Sequence, residues 1–135
     1  MTRTTRAIPF NDLGVLEAVL AMGDVAAVLA EPAMTNCGMI LPEANFWKRA
    51  QALAKKAGAL LVLDETHTLS SGPGGATKAG GLAPDALVIG KAIAGGFPAA
   101  VWGVSADLAE KIGAVKTGGG RAGIGTTLAG NAMGI

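Results

Sequence analysis

The chain has 135 residues, half of them apolar and 16% charged, with a formal net charge of +1 at pH 7. That size suffices for one domain with a hydrophobic core, and the composition is that of a globular protein, not a disordered one. The near-neutral balance gives no basis for a nucleic-acid or membrane-surface partner, no apolar run reaches the roughly 18 residues of a membrane span, and the single cysteine, Cys37, excludes an internal disulfide framework and a multi-cysteine zinc site.

The N-terminal MTRTTRAIPF has two arginines but no apolar stretch of the signal-peptide kind, so a cytoplasmic location is expected. Asn11 or Asp12 can cap a helix running to about Met22, in which Leu13, Leu16, Val19 and Leu20 recur at helical spacing. Residues 25–30 are a short apolar run of the kind found in a buried parallel strand, ended by Glu31-Pro32. Pro42 suits the first turn of a second helix, with Phe46, Ala50, Leu53 and Ala57 on one face and Gly58 as its stop. Residues 59–63 predict a second strand ending at Asp64, and the Gly/Ser/Pro-rich residues 70–84 predict a loop. A third buried strand is expected over 86–89, ending at Gly90-Lys91, and a fourth over 98–104. Ser105 caps a short helix to about Ile112, and the glycine-rich TGGGRAGIG follows at 117–125.

Strands alternating with helices imply an α/β fold with a mostly parallel sheet. Ligands in such sheets bind beyond the C-terminal ends of the strands. Asp64 and Lys91 both lie just past such ends, so adjacent strands would bring a carboxylate and an amine to one crevice. A lysine at the mouth of an apolar strand, among glycines and alanines, is a candidate Schiff-base former, because low dielectric frees its amine to attack an aldehyde. The bland alternative is a solvated surface lysine. An aspartate ending a strand can hydrogen-bond a protonated pyridine nitrogen; equally it can cap a loop. Asp64, Glu65 and His67 converge poorly as metal ligands, because adjacent residues of an extended chain point to opposite faces. Thr126-Thr127, after the glycine-rich stretch, suits an anion such as a phosphate. No G-x-x-x-x-G-K-[ST] loop accompanies these residues.

Five blocks then stand in a telling order: PFND at 9–12, AEPAMTNCGMILP at 30–42, GALLVLDETHT at 58–68, GLAPDALVIGKAIAGGFP at 81–98 and GTTLAGNAM at 125–133. In this order they resemble the class III (omega-type) aminotransferases, fold-type-I enzymes that use pyridoxal 5'-phosphate (PLP). The resemblance implies that Lys91 is the Schiff-base lysine, which also shuttles a proton at the substrate α-carbon, and that Asp64 is the partner of the pyridine nitrogen. It places Thr66 against the ring face, where the family usually has valine or isoleucine, and His67 near the cofactor's phenolic oxygen, where many members have glutamine. It places Thr127, helped by the backbone at Thr126, on the cofactor phosphate of a neighbouring subunit, and Glu31 near the site. A homodimer is implied, as are an amino donor and a keto acid or aldehyde acceptor.

The departures are informative. The family chain is about three times longer, and neither its phosphate loop and ring-stacking aromatic nor its C-terminal small domain has a counterpart in these 135 residues. Ala132 replaces the usual proline after GN. The expectation is that residues 1–135 form the central part of a PLP-binding large domain, poorly active or inactive alone. A piece of parallel sheet would leave apolar faces and edges open. The expected activity is amino-group transfer through Lys91. One alternative within the family is the branch of glutamate-1-semialdehyde 2,1-aminomutases, which moves nitrogen within one molecule. Another is a non-catalytic remnant.

Overall fold

The computed structural model describes residues 4–97 and 99–115. Four strands, β1 (Ala27–Ala30), β2 (Leu60–Asp64), β3 (Ala86–Ile89) and β4 (Val101–Val104), are interleaved with four α-helices, α1 (Leu13–Leu20), α2 (Phe46–Ala57), α3 (Gly75–Ala79) and α4 (Ala106–Ala114). The strands lie in one sheet in chain order; β1, β2 and β3 run parallel and β4 returns antiparallel to β3. This is the α/β, mostly parallel architecture that the alternating pattern predicts. The parallel ends of β1, β2 and β3 therefore all emerge at one edge of the sheet.

Asp12, not Asn11, caps α1: its carboxylate accepts from Val15 N at 2.9 Å. Asn11 instead takes a left-handed φ of 65° and spends its amide on Leu41 O (3.0 Å) and Glu43 N (2.9 Å). Those bonds tie residues 41–43 to the start of α1. Consequently α2 begins at Phe46, after a left-handed Asn45, and not at Pro42. It ends where expected, on Gly58 at φ 72°. Its buried stripe is Phe46, Trp47, Ala50 and Ala54; Ala57 is exposed. Within that stripe the Trp47 indole N–H donates to Pro32 O at 2.7 Å, in the loop after β1.

The core forms where Leu16, Leu20, Phe46, Trp47 and Ala50 meet Leu61 and Leu63 of β2. Phe10 closes it, its ring 5.1 Å from that of Phe46. Burying side chains such as Leu61 and Leu63 stabilises the fold by about 2 kcal/mol each. Among the described residues, only one face of the sheet is covered in this way. Alternation puts Leu29, Val62 and Trp102 on the other face, where Leu29 is 68% and Trp102 52% exposed. Strand β1, read from sequence as buried, is thus half open.

Two further segments differ from expectation. Residues 70–84 are not simply a loop, since they contain the end of a 3-10 turn (Thr68–Ser71) and all of α3. Strand β4 starts at Val101, with Pro98 of the expected strand outside the described residues, and it runs antiparallel: the described part of the link from β3 contains the 3-10 turn Lys91–Ala94 and no crossover helix. Ser105 caps α4 as predicted, accepting from Leu108 N at 3.2 Å.

Candidate active site

Glu31 is the first residue past β1 and lies in a loop anchored twice. The Trp47 indole holds Pro32 O, and Met34 and Ile40 exchange two backbone hydrogen bonds of 3.0 and 2.8 Å. Within that loop the Thr35 hydroxyl donates to Glu31 Oε2 at 2.6 Å.

Past β2 the chain turns tightly. Asp64 Oδ1 accepts from Thr66 N at 2.9 Å, and Oδ2 has no protein donor among the described residues. Glu65, only 1% exposed, turns away from the strand end. Its carboxylate accepts from the Thr68 hydroxyl, from Ala76 N at 3.3 Å and from Thr77 N at 2.5 Å, which builds the first turn of α3. Burial pushes this carboxyl up, but the hydrogen bonds from Thr68, Thr77 and Ala76 outweigh it and hold the group below the ordinary glutamate range. Gly75 is required here: at φ 66°, a Cβ would meet Glu65 Oε2 at 2.7 Å.

Past β3, Gly90 N donates to Thr66 Oγ1 at 3.1 Å, stitching the two strand ends together. Lys91 follows at φ 50°, a left-handed conformation that costs a non-glycine residue about 1 kcal/mol or more. Its ammonium nitrogen lies 2.5 Å from His67 Nε2. The other ring nitrogen, His67 Nδ1, contacts the Thr35 hydroxyl and lies 3.6 Å from Glu31 Oε2. An open crevice of about 430 Å³ is lined by Thr66, His67, Leu69, Ser70 and Lys91.

The structure thus brings Lys91, His67 and Thr66 together at one crevice and joins Glu31 to them through Thr35. Asp64 ends the neighbouring strand, in register with Val88, and does not line the crevice itself. Asp64, Glu65 and His67 each engage a different partner. Thr126 and Thr127 lie outside the described residues. Thr35 escaped the sequence reading. It lies 32 residues from His67, and nothing local marks a threonine in a loop as a partner of a distant ring.

A family model described as aminotransferase class-III matches residues 5–134. The chain belongs to the class-III aminotransferases. Glutamate-1-semialdehyde 2,1-aminomutase of Roseiflexus castenholzii (strain DSM 13941 / HLO8) is 42% identical over 112 residues, which are 81% of this chain and 26% of that protein. The protein of the same name from Pyrobaculum arsenaticum (strain DSM 13514 / JCM 11321 / PZ6) is 40% identical over 115 residues, 83% of this chain and 27% of its own length. Among solved structures, a variant glutamate-1-semialdehyde-aminomutase from Pseudomonas aeruginosa PAO1 in complex with PMP superposes with a TM-score of 0.85 at 50% identity, over 96% of this chain and 30% of that one. Ornithine aminotransferase from Toxoplasma gondii ME49 gives a TM-score of 0.73 at 30% identity, over 87% of this chain and 28% of that one. The chain spans between a quarter and a third of the length of these class-III relatives.

Proposed function

We propose that this chain is the central part of the large domain of a PLP-dependent enzyme that transfers amino groups. The observation that carries the reading is Lys91. Lys91 is exposed, so low dielectric does not set its chemistry as the sequence led one to expect. Its amine is instead held against His67 Nε2, just past a parallel strand at the mouth of an open crevice, on a left-handed backbone of φ 50°. The residues present suit the cofactor. A primary amine faces the crevice, and Asp64 Oδ2 is an acceptor with no protein donor among the described residues. When bound, PLP supplies an electron sink for charge developed at the substrate α-carbon.

The chain's own residues do the rest. Lys91 Nζ would hold the cofactor at its carbonyl carbon and would carry the proton to and from the substrate. The Asp64 carboxylate would hold a protonated ring nitrogen by charge and hydrogen bonding. Thr66 and His67 would flank the ring, and Thr127, helped by the backbone at Thr126, would serve the cofactor phosphate of the neighbouring subunit. The proposed reactants are an amino acid or amine as donor and a keto acid or aldehyde as acceptor, in a cytoplasmic homodimer. A second reading, nitrogen transfer within one molecule, is favoured by the names of the relatives and by the 50% identity to the Pseudomonas aminomutase. A requirement for added keto acid separates the two, since an aminomutase turns over without one.

The test of the cofactor assignment is direct. PLP is added to the purified chain, the adduct is reduced with borohydride, and tryptic peptides are mapped. Label is expected on the peptide carrying Lys91 and is expected to vanish in Lys91→Ala. Equal labelling of the exposed Lys48, Lys55 and Lys56 would refute the assignment.

A further inference from the structure

Glu31, Thr35, His67 and Lys91 form one hydrogen-bonded thread across the ends of β1, β2 and β3. The thread has a direction. Thr35 has a single O–H, and it is committed to Glu31 Oε2 at 2.6 Å, because a carboxylate can only accept. Toward His67, Thr35 therefore presents only a lone pair. The contact to Nδ1 then requires Nδ1 to carry the proton, so the polarity of the partners fixes the tautomer. In the neutral ring this leaves Nε2 bare. What faces Nε2 is Lys91 Nζ, which is a donor.

We propose that Thr35 and Glu31 are positioning residues that fix His67 as its Nδ1–H tautomer and so aim the bare Nε2 at the Lys91 amine. Their role in loading the cofactor rests on the reading of Lys91 given above. An alkylammonium must lose a proton before its nitrogen can attack a carbonyl. In this arrangement one proton passes from Lys91 Nζ to His67 Nε2, and no other bond changes. The ring becomes an imidazolium that still donates from Nδ1 to Thr35, with the Glu31 carboxylate 3.6 Å away to offset its charge. An alkylammonium ordinarily holds its proton more tightly than an imidazolium. The transfer is therefore transient, driven forward as the free amine is consumed, and it runs backward when the amine is released. The same bond orients Nζ, whose long side chain would otherwise sample many rotamers.

The chain has one histidine, so its imidazole gives one set of 15N signals. In the cofactor-free chain the Nδ1–H form is expected. Thr35→Val removes the acceptor and should shift the ring toward Nε2–H, while Thr35→Ser, which keeps a hydroxyl, should restore Nδ1–H. In the PLP and borohydride assay, Thr35→Val should label Lys91 about tenfold more slowly, below the usual range for a lost proton acceptor because Nε2 remains nearby. Thr35→Ser should recover the rate. A merely structural role would not be read out in the tautomer. An Nε2–H ring in the unsubstituted chain, or Thr35→Val with tautomer and rate both unchanged, would overturn the proposal. Absence of Lys91 labelling in every variant, with the tautomers as expected, would sink the cofactor reading and leave the positioning role standing.

Discussion

At the scale of single residues, the described structure contains two carboxylates side by side with opposite duties. Asp64 keeps one oxygen open at the strand end, whereas Glu65 spends its carboxylate on Thr68, Ala76 and Thr77. Glu65→Gln replaces an acceptor oxygen by an N–H₂ that cannot satisfy those donors. It is expected to destabilise the chain by about 2 kcal/mol, measured by urea unfolding followed through tryptophan fluorescence. The folded carboxyl lies below its ordinary value, so its contribution is present above the unfolded glutamate range and is lost as pH falls through the folded value. The gap between the unsubstituted chain and Glu65→Gln should therefore close on acidification. A gap that widened at low pH would contradict the hydrogen-bonding account.

At the scale of elements, helix starts are set by which polar side chain is free to cap them. Asp12 caps α1, and Asp12→Ala is expected to cost about 1 kcal/mol in thermal unfolding. Helix α2 matters to the site through Trp47, whose indole holds the loop carrying Glu31 and Thr35. Trp47→Phe retains most of the apolar ring but leaves Pro32 O without its buried donor. A loss of about 1–2 kcal/mol is expected, with the helical circular-dichroism signal retained at room temperature. A neutral substitution would show that the loop is held by other means. The element that sequence least foretold is α3, because the group that nucleates it, Glu65, lies about ten residues upstream and is recognisable only once the chain has folded back.

At the scale of the whole molecule, the sheet is covered by α1 and α2 on one face, and Leu29 and Trp102 stand open on the other. Exposed large apolar side chains of this kind can bind apolar dyes and promote association. The chain is expected to bind such a dye, and Leu29→Thr combined with Trp102→Thr should reduce binding without changing the α1–α2 core. Unchanged dye binding would place the accessible apolar surface elsewhere.

The amino-acid sequence by itself determined the order of the four strands and of α1, α2 and α4, the Ser105 cap, the Gly58 stop and the position of Lys91 past an apolar strand. These are local properties: hydrophobic period, capping chemistry and turn residues act over a few positions. The motif blocks pointed to the family, which the match over residues 5–134 then showed. Tertiary structure alone decided the antiparallel return of β4, the choice of Asp12 over Asn11, the folding of α3 on Glu65 and the entry of Thr35 into the site. Each of these depends on a partner well separated in the chain, such as Asn11 with Leu41 or Thr35 with His67. Hydrogen-bond direction is a property of assembled neighbours. The lysine could be found in the sequence, but the hydrogen-bonded thread that reaches its amine exists only where three strand ends meet.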